Sequence, residues 1–222
     1  DAESFNQDLS SWDVSGVTDM GAMFNNASSF NQDLSSWDVS SVMDMNSLFD
    51  GASSFNEDLS NWDVSSVTNM NSMFYGAESF SGDLSSWNVS GVTSMSYMFF
   101  GADNFNQNLS SWNVSNVTYM TQMFDNAPLS DDNKCAIHTS FSSNGNWPYD
   151  WSDTCIFQPE TKADLQTAVD LWVSDNSNAV STYGEINTWD VSLITDMSEL
   201  FKDKTTFNDD ISNWNVSNVT NM

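Results

Sequence analysis

The chain reads as an α/β solenoid of 25-residue coils, each a short strand followed by a short helix. Three observations predict this. Trp12, Trp37, Trp62, Trp87 and Trp112 are spaced 25 residues apart. Phe5, Phe30, Phe55, Phe80 and Phe105 keep the same interval, and Trp189 and Trp214 resume it later. Within one coil the apolar spacing changes from two residues to three or four. Self-similarity at this period marks a repeat architecture, because a coil too small to bury its own apolar face must stack on its neighbours.

The elements follow from one coil. Trp12 and Val14 alternate with Ser11 and Asp13, the period-two pattern of a short parallel strand. Val17, Met20, Met23 and Phe24 then recur at steps of three and four, which fits a turn or two of helix. Ser15 stands where it could cap that helix, and Asn26 or Gly51 suits a left-handed exit. The Trp, Met and Phe columns are expected in the core rather than as stacking platforms for sugars. Asn6, Asn31, Asn56 and Asn106 form a column expected to satisfy backbone groups at a bend.

Five coils fill residues 1–127. Residues 128–159 break the pattern with Pro128, Pro148, Cys135, Cys155 and the cluster Trp147, Tyr149 and Trp151, which suits a closing cap over the last open coil. His138, the single histidine, has no local nucleophile or carboxylate partner and is expected to be structural. Residues 160–183 form a helical opening cap. Leu165, Ala168, Val169, Trp172 and Val173 share one helix face, Thr161 and Asp164 make a capping box, and a second helix through Ala179 ends at Gly184. Residues 184–222 start a second array. Met222 falls in the phase of Met20 and Asp1 in that of Asn26, so the chain is expected to be one segment of a longer string of such domains.

Charge narrows the partners. Four Lys and Arg stand against 31 Asp and Glu, a formal net charge of −27. Nucleic-acid affinity comes mainly from basic side chains on phosphates, so such a surface disfavours nucleic acids, and anionic membranes for the same reason. It favours divalent cations or basic partners. No apolar run reaches the ~18 residues of a membrane helix. Cys135 and Cys155 lack a CxxC or Cys/His setting for zinc. A single disulfide between them is expected, and with it an oxidising compartment.

The outward face carries the candidate sites. Asp13, Asp38 and Asp63 form one acidic column, continued by Asn88 and Asn113. Asp8, Asp33, Asp58 and Asp83 form another, continued by Asn108. Like charges on adjacent strands repel. Relief comes either from solvent or from a bound hard cation, and oxygen ligands on neighbouring coils suit calcium at Asp13, Asp38 and Asp63. No other cofactor is expected. N-x-S/T sequons at Asn26, Asn88, Asn108, Asn113, Asn116, Asn215 and Asn218 are candidate glycosylation sites.

The repeat FNQDLSSWDVSSVMDMNSLFDGA, residues 30–52, resembles that of BspA-like surface proteins, leucine-rich-repeat relatives first noted in Mycoplasma lipoproteins. The likeness covers residues 1–127 and 184–222. LSDDNKCAIHTSFSSNGNWPYDW and TKADLQTAVDLWVSD resemble the terminal and opening segments of algal and marine members. The resemblance implies right-handed leucine-rich-repeat-like coils, an extracellular or cell-surface setting, a role in adhesion or assembly, and no catalytic residues. The chain departs from single-array members in carrying a closing cap before an opening one.

The expectation is therefore a non-enzymatic, secreted structural or adhesive repeat protein, one segment of a larger surface or filament protein. Its partners would be other copies or domains of itself, other surface or matrix proteins, or glycans. The alternative is a calcium-dependent module that binds glycans or proteins through the acidic face. A carboxylate column offers pairs everywhere and singles out none, which argues against a hydrolase. Thr18, Thr68, Thr93 and Thr118 are interrupted by Met43, which argues against an ice-binding ladder.

Overall fold

Backbone amides decide how each coil is built. In the first coil the N–H groups of Met20, Ala22, Phe24 and Asn26 donate to the carbonyls of Asp44, Asn46, Leu48 and Asp50 in the next, at 2.6 to 2.9 Å. The intervening N–H groups of Met23, Asn25 and Ala27 turn back to the carbonyls of Met20, Ala22 and Phe24. One amide in two reaches the neighbouring coil and the other closes a local turn. The pattern recurs from Met45, Ser47, Phe49 and Gly51 onto Asn69, Asn71, Met73 and Tyr75, and again further along. Successive coils thus stack in register along a computed structural model that describes residues 2–222, with Ser181 described by its backbone only. Asp1, whose phase matches Asn26, lies outside the described residues.

This corrects the α/β solenoid of strand-plus-helix coils. Among the described residues the coils contain neither. Bridge pairing between coils is limited to isolated parallel bridges, Asp19 to Asp44, Asp44 to Asn69, Asn69 to Ser94 and Ser94 to Tyr119 in the first unit and Asp196 to Asn221 in the second. The bridge falls where a helix was expected, and Trp12–Val14, the expected strand, is irregular. Ser15 therefore caps no helix.

Two left-handed positions per coil explain the outcome. Ala22, Ser47, Ser72, Tyr97 and Gln122 have φ between 51° and 59°. Four residues on, Asn26, Gly51, Gly76, Gly101 and Asn126 have φ between 56° and 69°. A helix cannot continue through either. The spacing of three that mimics a helix arises from consecutive turns, with bonds from Trp12 to Leu9, Val17 to Val14, Ala27 to Phe24 and Phe30 to Ala27.

The core is aromatic and columnar. Phe24, Phe49, Phe74, Phe99 and Phe124 stack at 5.5 to 5.6 Å between ring centroids. Phe5, Phe30, Phe55, Phe80 and Phe105 form a second stack at 5.8 to 6.2 Å. The columns interlock, with Phe49 4.0 Å from Phe55 and Phe99 3.9 Å from Phe105. Trp37, Trp62, Trp87 and Trp112 are buried, and each indole N–H donates to a carbonyl 28 residues earlier, at Leu9, Leu34, Leu59 and Leu84, over 2.9 to 3.1 Å. Trp12 has no preceding coil among the described residues and is 53 % exposed.

The chain divides into two units, Asp1–Ser152 and Asp153–Met222. In the first, helix α1 (Asp131–Phe141) begins at Ser130, whose side chain accepts from the Asn133 amide, and buries Ile137 and Phe141. Trp147, Tyr149 and Trp151 gather around Phe124 at the last coil. His138 lies among them, its Nδ1 accepting from the Trp147 indole at 3.2 Å. In the second unit, α2 (Lys162–Ser174) has the expected Thr161/Asp164 capping box and buries Leu165, Ala168, Val169 and Trp172. Helix α3 (Asn176–Tyr183) ends at Gly184, with φ of 71°. The coil pattern then resumes, and the Trp214 indole donates to the Ile186 carbonyl at 2.7 Å, again 28 residues back.

The indole bonds set a stability test. Trp62→Phe keeps most of the apolar ring but removes one of the two hydrogen bonds on the buried Leu34 carbonyl, which keeps the Trp37 amide, so it is expected to cost about 1 to 2 kcal/mol. Trp12→Phe, on an exposed ring, is expected to change stability by less than about 0.5 kcal/mol. Urea unfolding followed by far-ultraviolet circular dichroism distinguishes the two, and equal effects would contradict the role given to the indole N–H.

Candidate functional site

The outward acidic face is assembled from short Asx turns. A side-chain oxygen of Asp or Asn accepts the amide of the residue two positions on, which is why these residues favour turns. Asp13 Oδ1 accepts from the Ser15 amide at 3.1 Å and its hydroxyl at 2.7 Å. Asp38 does the same with Ser40, and Asp63 accepts from the Ser65 amide at 3.0 Å. In the other column Asp8, Asp33, Asp58 and Asp83 accept from Ser10, Ser35, Ser60 and Ser85 at 2.8 to 2.9 Å. Asn88 and Asn113 repeat the turn without the charge.

These bonds set the electrostatics. Hydrogen bonds from Ser40 hold the Asp38 carboxyl below the usual carboxylate range, against an opposing push from Asp63 and Asp13. Asp13 and Asp63 are lowered by Ser15 and Ser65 in the same way. The column is thus a row of separate turns, each carboxylate directed at its own serine. Among the described residues no group of three or more His, Cys, Asp or Glu comes together to hold a metal ion.

The other predicted residues sit in distinct settings. Asn6, Asn31, Asn56 and Asn106 each accept a backbone amide one coil on, from Asn31, Asn56, Ser81 and Ser130, at 2.8 to 3.0 Å. Asn88, Asn108, Asn113, Asn116, Asn215 and Asn218 are exposed. The amide nitrogens of Asn116 and Asn218 donate to the carbonyls of Ser90 and Ser192, at 2.8 Å in both cases. Asn26 is exposed as well, and its side-chain amide donates to the Asn25 side chain at 2.7 Å. Cys135 and Cys155 are disulfide-bonded. No helix among the described residues is long and apolar enough to cross a membrane.

One feature escaped the sequence reading. Tyr75 and Phe100 stack at 4.9 Å with 4° between their planes, and Tyr97 leans on both at 57° to 58°. All three rings are at least partly open to solvent. The available signal was a departure from the repeat. Tyr97 stands where other coils have Ala22, Ser47, Ser72 and Gln122, while Tyr75 and Phe100 stand in line with Asn25, Asp50 and Asp125.

A family model described as Mycoplasma protein of unknown function, DUF285, matches residues 1–81, 58–141 and 172–222. The chain belongs to the DUF285 family. The matched segments include all five coils of the first unit and the resumed coils of the second, together with α1 and α3 beside them. No curated protein and no solved structure gives a match.

The turn carboxylates carry a pH test. Their folded pKa values lie below the ordinary 3.8, so as pH falls the unfolded chain takes up protons first. The stability they contribute is complete above pH about 4 and is lost on descending through the folded values. Asp50 runs the other way, because burial raises its carboxyl. Asp38→Asn keeps the turn acceptor, as Asn88 and Asn113 show, and removes the titration. The melting temperature of the native chain relative to this variant is expected to be constant from pH about 7 to 5 and to decline toward pH about 2. A relative gain on acidification would contradict the assigned sign.

Proposed function

We propose that this DUF285 chain is a non-enzymatic extracellular structural or adhesive protein that presents a long, repetitive polar face to other surface or matrix proteins. One observation carries the reading: the coils spend their apolar side chains on stacking, and their outward columns repeat the same self-contained Asp-x-Ser turn from coil to coil. Such a surface offers extended, multivalent contact rather than one convergent pocket. The likeness of the repeat to BspA-like surface proteins, and the disulfide, support a place outside the cytoplasm. The test is surface labelling of intact source cells with antibody to the chain, together with cell attachment to immobilised protein. Labelling before permeabilisation and attachment blocked by soluble chain are the expected results. Label confined to permeabilised cells would overturn the reading.

Secretion also orders the sequons. Asn88 and Asn113 hold their turns through Oδ1. Asn116 and Asn218 use their amide nitrogens to join coils. On chain secreted by a glycosylating host, glycans are expected at Asn88 and Asn113, with Asn116 and Asn218 bare. Peptide mapping before and after deglycosylation checks this, and the reverse pattern would contradict it.

A further inference from the structure

The aromatic corner on the third and fourth coils has no counterpart elsewhere in the repeat. In several coils two outward positions three residues apart face each other. Three of these pairs are polar and bond to one another. Asp50 takes a hydrogen bond from Ser47, Gln122 donates to Asp125 at 3.0 Å, and Lys202 pairs with Glu199 at 3.0 Å. In the fourth coil the pair is Tyr97 and Phe100, and Tyr75 extends it into the third. Tyr97 is held at φ 59°, a left-handed conformation that small or polar side chains fill at 22, 47, 72 and 122. A bulky aromatic residue is costly there. The hydroxyls of Tyr75 and Tyr97 make no hydrogen bond among the described residues. Neither the core nor the backbone ladder calls on these rings.

Charge indicates what they face. Residues 1–133 contain no lysine and no arginine. The four lysines of the chain are each paired, with Asp131, Asp196, Glu199 and Asp170. Asp50 precedes Tyr75 by one coil in the same column, a thickness of 5.6 Å judged by the adjacent Phe49 and Phe74 rings. Its carboxyl is pushed up by partial burial, so a neighbouring positive charge would relieve it. Ring planes meeting near 57°, with a carboxylate one coil before Tyr75 in the same column, put aromatic π faces and a formal negative charge on one stretch of the surface. That is the chemistry that recognises a cationic side chain.

We propose that Tyr75, Tyr97 and Phe100, with Asp50 one coil before Tyr75, form a docking site for an arginine or lysine side chain from a basic segment of a partner protein. The site gives the acidic surface specificity as well as attraction: the overall charge steers a basic segment in, and the rings hold one side chain. It stands apart from the question of where the chain resides, since it rests on the corner's own geometry.

The experiment titrates the 222-residue chain with a glycine-flanked tetra-arginine peptide by calorimetry, beside a tetra-citrulline peptide of the same shape and a neutral β-linked oligosaccharide. Tyr97→Ser installs the residue already present at 47 and 72, so the coil accepts it, and an unchanged melting temperature verifies folding. It is expected to weaken arginine-peptide binding about fivefold, the size of one partly exposed cation–π contact. Asp50→Asn is expected to weaken it comparably, while Asp38→Asn, which removes the same charge elsewhere, leaves it within twofold. Citrulline and oligosaccharide are expected not to bind. Equal binding by Tyr97→Ser would show diffuse electrostatics and overturn the proposal. Equal citrulline binding, or oligosaccharide binding that Tyr97→Ser abolishes, would overturn it in favour of a neutral ligand.

Discussion

The indole bond from one coil to the last is the constraint on which the stack depends. A 25-residue coil cannot enclose its own aromatic side chains, and the backbone bonds that hold successive coils in register do not reach the Leu9–Trp12 turn. The Trp side chain answers both. Its ring closes the apolar interior, while its N–H fixes a carbonyl 28 residues back, at Leu9, Leu34, Leu59 and Leu84 and again at Ile186. The offset of 28 against a period of 25 places each Trp three residues beyond the position below. The same carbonyls at Leu9, Leu34, Leu59 and Leu84 also receive the turn amides of Trp12, Trp37, Trp62 and Trp87. One acceptor thus serves its own coil and the next. Phenylalanine could fill the space but would supply no bond between coils at this turn, and a buried carbonyl that loses one of its two donors is costly.

The backbone obeys a related economy. Alternating amides between the next coil and a local turn leaves each coil with half of a strand's bonding and half of a turn's. Regular secondary structure is thereby excluded, even though the amides concerned are paired. Glycine suits the second left-handed position of the middle coils. A Cβ at Gly51 would come within 2.6 Å of the Asn26 side chain, and Gly51 has φ of 69°. Asn26 and Asn126 fill the same place at the outer coils, since asparagine tolerates the left-handed region better than other non-glycine residues.

What the sequence conveyed was the period and the identity of the core, because both are written in residue type. Phe, Trp, Leu and Met columns at 25-residue intervals have only one way to leave water. The local conformation was not legible. An inward residue every third or fourth position is the signature of a helix, but a run of three-residue turns produces it too, and the difference lies in the φ of residues such as Ser47 and Gln122 that carry no left-handed signature. The caps were clearer, since Thr161 with Asp164 and Gly184 act through local chemistry alone. Helix α1 was obscure because only Ile137 and Phe141 are buried along it. Asp13, Asp38 and Asp63 were rightly placed outside, but sequence could not show each carboxylate turned back on its own serine.

Core rules this strict leave variation only where side chains point away, and that makes the outward positions informative. At the pair three residues apart, the coils try several solutions. Ser47 with Asp50, Gln122 with Asp125 and Glu199 with Lys202 each satisfy themselves. Asp125 is further engaged by the Tyr149 hydroxyl at 2.7 Å, beside the last coil of the first unit. Tyr97 with Phe100 satisfies nothing internal, and it occupies a backbone conformation that disfavours it. A repeat that returns to small polar residues at 47 and 72 and yet keeps an aromatic pair one coil later has a surface whose chemistry is completed from outside. On a face with no cation of its own over 133 residues, the complement is positive.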